Sequence, residues 1–237
     1  MKKIVLAIML LCTTVSFAQE RKVKGNKNVV TKEKKVQKYN KVILGGGIDL
    51  MIMANSLQPV VNITADANLH QLFDISVADE ILTIKLKPGF VIVDQTENFK
   101  VSITNKDLDK ILVLGNSTVE SMGILETNEL EIEVIGNGVV KTQVKTEDLK
   151  ITNKGNAEIK LSGKTNSAFI ENNGNGVIDL SEVPSFFTEV YQYGDGVIYT
   201  NAINGLDGKL TGLGTIYYQN TEILNVEITG SGKLISK

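Results

Sequence analysis

The chain has 237 residues, a formal net charge of −2 and only 5% aromatic residues. It carries one cysteine (Cys12), one histidine (His70) and one arginine (Arg21). That excludes a disulfide framework, a thiolate or histidine zinc site and a histidine-based acid–base pair.

Lys2 and Lys3, the apolar run Ile4 to Leu11 and the small-x-small site Ser16-Phe17-Ala18 read as a signal peptide over residues 1–18. An exported protein is expected: periplasmic, outer-membrane-associated or extracellular. Cys12 follows Leu10 and Leu11, where a lipid-attachment motif wants small residues, so it reads as part of the apolar run. That run is too short for a transmembrane helix, and no later segment approaches 18 continuous apolar residues. Residues 19–38 read as a basic flexible leader. Arg21 and seven lysines there face two acids, a net +6, whereas from Tyr39 onward 15 lysines meet 25 acids, a net −10. The acidic body argues against nucleic acid as a partner.

From Tyr39 the apolar residues recur at the strand period of two. Val42 and Leu44, Ile48 to Ile52, Val61 and Ile63, Ile75 and Val77, Leu82 to Leu86, and Val101 and Ile103 follow it. Gly45-Gly46-Gly47, Asn55-Ser56, Ala65 to Asn68, Ala78-Asp79-Glu80 and Lys87-Pro88-Gly89 separate these runs as turns. No helical spacing persists beyond about two turns.

A glycine-centred unit then recurs seven times. It reads Gly115-Asn116-Ser117, Gly136-Asn137-Gly138, Gly155-Asn156-Ala157, Gly174-Asn175-Gly176, Gly194-Asp195-Gly196, Gly212-Leu213-Gly214 and Gly230-Ser231-Gly232, at intervals of 18 to 21 residues. Such units bury their apolar faces only by stacking. Four residues after each leading glycine stand Val119, Val140, Ile159, Ile178, Ile198, Ile216 and Leu234. Four before it stand Ile111, Ile132, Ile151, Ile170, Val190, Gly208 and Val226. Leu130, Leu149, Ala168, Leu206 and Leu224 add a third inward column. A fourth reads Val113, Val134, Asn153, Asn172, Gln192, Leu210 and Ile228. Its three consecutive amides predict a hydrogen-bonded ladder, because a buried unpaired amide costs about 1–3 kcal/mol. Outward columns alternate in sign, as Lys110, Glu131, Lys150 and as Glu120, Lys141.

The expected fold is all-β: a right-handed parallel β-solenoid over 108–237, continuous with a strand-rich part over 39–107. Residues 39–237 read as a single domain.

Several motifs resemble the auto-transporter adhesin head GIN domain family, a group of exported bacterial β-rich domains. They are Tyr39 to Val42 with Gly47 to Leu50, the Ala65-Asp66-Ala67-Asn68-Leu69 turn, the Val77 to Ile84 hairpin with Glu80 in a usual glycine position, and the Gly-x-Gly units. The resemblance implies an adhesive surface role and brings no catalytic residue.

A carbohydrate-active solenoid enzyme needs clustered carboxylates. Asp179, Asp195, Glu171 and Glu189 fall in different columns, and no arginine is near. Gly194-Asp195-Gly196 lies outside any Asp-x-Asp-Gly loop, so no calcium or other metal site and no cofactor is expected. His70 reads as a surface turn residue. Tyr191, Tyr193, Tyr199, Tyr217 and Tyr218 cluster late in the chain, with Tyr199 and Tyr217 in one outward column. They are the candidate binding residues, suited to a glycan or an envelope or surface protein. The functional reading is a non-enzymatic exported binding module. The alternatives are the β-helix enzyme and a structural domain that self-associates through its solenoid ends.

Overall fold

A computed structural model describes residues 20–54 and 58–237. The expected signal peptide, with Cys12, and the Asn55-Ser56 turn lie outside the described residues. The strands, in chain order, are β1 (Arg21–Lys24), β2 (Val29–Lys35), β3 (Lys41–Leu44), β4 (Asp49–Met53), β5 (Val60–Asp66), β6 (Phe73–Ala78), β7 (Ile81–Leu86), β8 (Phe90–Asp94), β9 (Lys100–Thr104) and β10 (Lys110–Gly115). They continue with β11 (Thr118–Glu126), β12 (Glu129–Gly136), β13 (Val139–Gly155), β14 (Glu158–Asn172), β15 (Val177–Gln192), β16 (Val197–Gly212), β17 (Thr215–Gln219), β18 (Ile223–Gly230) and β19 (Lys233–Ser236). One 3₁₀ turn, His70–Leu72, interrupts them, and no α-helix occurs among the described residues. The strands coil into a β-solenoid of about 7 turns.

The predicted columns are the registers of the coil. Val119 pairs with Val140, and the column runs through Ile159, Ile178, Ile198 and Ile216 to Leu234, parallel throughout. Its first six members are fully buried. Burying each such side chain stabilises the coil by about 1.5–3 kcal/mol, so these columns carry most of the core. In the Gly-x-Gly corners the leading glycine is a requirement of stacking. A Cβ on Gly174 would lie 1.9 Å from the carbonyl oxygen of Gly155, one rung below, where no side-chain atom fits.

The amide ladder forms as expected. Asn153 Nδ2 donates to Asn172 Oδ1 (2.7 Å), and Asn172 Nδ2 donates to Gln192 Oε1 (2.9 Å). Gln192 Nε2 closes the run on the Gly194 carbonyl at 2.8 Å. All three side chains have no solvent exposure. Among the described residues Asn153 Oδ1 has no partner, because the rung below places Val134 there. Corner glycines make the room: a Cβ on Gly196 would sit 2.6 Å from Asn172 Nδ2.

Two further ladders carry no obvious hydrophobic signature. On the outside of the corner, Asn156 donates to Asn137 and Asn137 to Asn116, each at 3.1 Å. At the opposite bend, Thr146 Oγ1 lies 2.8 Å from Asn128 O and 3.0 Å from Asp148 O. Thr165 repeats this with Glu147 O and Ser167 O. These hydroxyls hold the bend by bonding one backbone carbonyl of the rung below and one two residues further along their own strand.

The structure revises three expectations. Residues 39–107 do not simply precede the coil; they build two of its rungs, out of chain order. β3 pairs in parallel with β10 on one side and β7 on the other, and β4 likewise with β11 and β9. Leu44 pairs with Val113 and Leu50 with Val119, so Gly46 is an additional corner glycine. Second, residues expected as a flexible leader form β1, parallel to β8, and β2, antiparallel to β5. The turn Asp66 to His70 clips this segment down. Asn68 Nδ2 donates to Lys24 O (2.8 Å), Asn68 Oδ1 accepts from Asn26 N (3.0 Å), and His70 Nε2 lies 3.0 Å from Val30 O. His70 is therefore half-buried. The buried Asp66 carboxylate accepts Thr96 N and Thr96 Oγ1, both at 2.9 Å. Net charge alone favours a solvated arm, but these long-range bonds compensate the backbone groups that ordering removes from water. Third, Glu120 and Lys141 are in register, yet Lys141 Nζ pairs with Glu158 Oε1 at 3.0 Å instead.

Candidate functional site

The solenoid places the five clustered tyrosines in three environments. Tyr191 lies one residue before the end of β15 and Tyr193 enters the corner after it, so both precede the Gly194-Asp195-Gly196 turn. Their rings stack at 6.1 Å and 11°, and Phe169 leans on Tyr191 from the rung below at 5.6 Å. Tyr191 is half-buried and Tyr193 is 46% exposed. Tyr199 and Tyr217 lie after the corner, paired in register on β16 and β17. Their rings stack at 4.9 Å and 10°, and Lys237 Nζ stands 4.3 Å and 4.7 Å from the two ring centres. Tyr218 is apart from both pairs: it is in register with the buried Thr200 and packs on the core. The alternation of strand side chains decides this, since Tyr217 and Tyr218 are neighbours and must face opposite ways.

Hydrogen bonding tunes one of these rings. Tyr191 Oη donates to Glu189 Oε1 at 2.5 Å. That bond, with burial and the carboxylate's charge behind it, raises the phenol to about 12. Tyr191 is thus held protonated as a fixed donor.

Beside the Phe169–Tyr191 face runs an open groove of about 640 Å³, reaching from Asn40 and Lys41 to Phe169. Its wall is an ion ladder: Glu131 pairs with Lys110 at 3.0 Å and Lys150 at 3.1 Å. Burial pushes the Glu131 carboxyl up, and the two lysines more than offset it, leaving it below the usual range. Two further carboxylates of the groove, Asp109 and Asp148, are engaged too. Asp109 accepts from Asn40 Nδ2 (2.6 Å) and Thr127 Oγ1 (3.1 Å), and Asp148 from Ser167 Oγ (2.7 Å). Among the described residues every carboxyl with a resolved shift is lowered, namely Asp66, Glu126, Glu131 and Glu133. A glycosidase general acid requires the opposite shift. Asp179, Asp195, Glu171 and Glu189 remain in separate columns, and no group of metal-ligating side chains occurs among the described residues. No described helix is long and apolar enough to cross a membrane.

A family model described as “Putative auto-transporter adhesin, head GIN domain” matches residues 38–222. Solved structures share the fold. A putative adhesin from Bacteroides fragilis is 24% identical, with 91% of this chain and 100% of that one covered and a TM-score of 0.85. A putative lipid binding protein from Parabacteroides distasonis is 21% identical, covering 92% and 100%, with a TM-score of 0.75. A putative adhesin from Parabacteroides merdae is 23% identical, covering 92% and 99%, also with a TM-score of 0.75. No curated protein sequence matches the chain.

Proposed function

The chain belongs to the auto-transporter adhesin head GIN domain family, and from that premise we propose that it is an exported, non-catalytic binding head. The observation carrying this reading is the pair of stacked-tyrosine surfaces flanking one glycine corner. Flat amphipathic rings held by a rigid backbone offer a ligand contact area at little entropic cost. Stacked rungs fix the rings without induced fit, which suits repeated engagement of an extended polymer. A glycan is the ligand class that such rings accommodate, through apolar sugar faces above and hydroxyl acceptors such as Glu189 beside. An envelope or surface protein is the second partner class. Residues 1–18 support export by their signal-like pattern.

The test is a glycan-array screen of the protein beside the Tyr199→Ala/Tyr217→Ala and Tyr191→Ala/Tyr193→Ala double variants. Loss of binding in one variant assigns the ligand to that side of the corner. Equal binding by all three proteins, or none by any, removes the support for the tyrosine surfaces.

A further inference from the structure

The two ends of the solenoid differ in kind. At the first end, β5 and β6 lie antiparallel on β9 and β7, and β2 lies outside β5. β2 exposes Lys32, Lys34 and Lys35, and Lys34 Nζ bonds the Ile75 carbonyl of β6 at 2.7 Å. Charged edges of this kind block further strand pairing. On the last rung β18 carries no lysine, and its Glu227 is paired with Lys209 of the rung below at 3.3 Å; Lys233 lies on β19. β18 pairs only with β16 and β19 only with β17 among the described residues, so their far edges face no strand. The inward columns end bare there: Leu206 is 1% exposed but Leu224 is 44%, and Leu210 is fully buried but Ile228 is 47% exposed.

We infer that this end binds a second copy of the chain, β18 against β18, as a closed two-fold dimer. The strand is complementary to itself. Antiparallel pairing that keeps the core face inward sets Val226 opposite its own copy and Leu224 opposite Ile228. On the outer face it sets Asn225 opposite Glu227, so no like charges meet. The two-fold axis then passes through Val226 and leaves no open edge on that face. Head-to-tail stacking meets the lysine-bearing β2, whose exposed residues offer no apolar column to continue Leu224, Val226 and Ile228. A symmetric contact also closes, as most homo-oligomers do. The dimer would carry its tyrosine surfaces in two copies, a gain in avidity for a repeating ligand, but it does not depend on the binding reading.

Light scattering on the eluting full chain tests this. Expected is twice the monomer mass, falling to monomer mass for Val226→Lys, which places two ammonium groups on the axis. A second variant stands apart from any folding defect of the first. In a Cys12→Ala background, Val226→Cys is the sole thiol. Its symmetric pair would be about 4.5–5.5 Å apart between Cα atoms, within disulfide reach. Mild oxidation is expected to give a covalent dimer, whereas Lys34→Cys at the capped end stays monomeric. Monomer mass at every concentration, a mass that climbs steadily as an open series does, or equal cross-linking by Lys34→Cys would each overturn the inference.

Discussion

Asn172 is the middle of the buried amide ladder, and replacing it separates a ladder from three independent amides. Asn172→Leu keeps the number and branching of the side-chain heavy atoms. It removes the bond accepted from Asn153 (2.7 Å) and the bonds donated to Gln192 (2.9 Å) and to Gly176 O (3.3 Å). Gly176 O keeps its bond from Val197 N at 3.0 Å, so the lasting damage is the stranded Gln192 Oε1. Lost bonds count about 1 kcal/mol each and a stranded buried acceptor about 1–3 kcal/mol. Burial of the leucine side chain returns roughly 1.5–3 kcal/mol. The net expectation is a loss of about 2 kcal/mol, or about 4–8 °C in the thermal midpoint for a domain of this size. Asn153→Leu/Asn172→Leu/Gln192→Leu removes donors and acceptors together, so it should be no less stable than Asn172→Leu alone. Urea unfolding followed by far-UV circular dichroism, with thermal midpoints alongside, measures both. A triple variant whose loss equals the sum of its three single losses would refute the ladder as a coupled unit.

The corner glycines separate two causes of the same residue choice. Gly174→Ala meets Gly155 O at 1.9 Å and should cost about 3 kcal/mol or more. Gly115→Ala meets nothing within 4 Å and faces only its positive φ of 77°, costing about 1–2 kcal/mol; similar midpoints for the two would contradict this. Asp66 has a folded pKa depressed chiefly by the backbone bond from Thr96, so the unfolded chain binds the proton more tightly. Its contribution is therefore present above the ordinary aspartate value of about 3.9 and is lost as pH falls through the folded one. Asp66→Asn should lower the thermal midpoint at neutral pH and flatten its decline below about pH 4; an unchanged decline would count against the clip. Glu189→Gln removes the carboxylate that holds Tyr191 at about 12. Difference absorbance at alkaline pH should show one phenol ionising at lower pH than in the parent, and an unchanged titration would remove that coupling.

Much of the coil was legible because its information is local and periodic. Apolar residues four before and four after each leading glycine announce the columns, and the amides at Asn153, Asn172 and Gln192 announce the ladder by sharing one of them. The threonine bend is not legible in that way, because Thr146 and Thr165 are polar residues serving backbone carbonyls, which no hydrophobic pattern records. The tyrosines were found as a cluster in sequence, but the corner between Tyr193 and Tyr199 divides them between two sides, and strand alternation turns Tyr218 inward.

The amino-acid sequence by itself determined the strands, the corner and the stacking register, since a side-chain period of two and a glycine that tolerates a carbonyl at contact distance leave one parallel alignment. Only the tertiary structure decided which rung lies beside which. Placing β3 and β4 between the rungs of β7/β9 and β10/β11 depends on pairings across dozens of residues with no fixed spacing. The same holds for the basic segment, whose charge favours solvent and whose order comes from Asp66, Asn68 and His70, residues 40 or so positions away. Contacts of that range leave no period in the chain, because their energy is gathered only once the coil has brought the partners together.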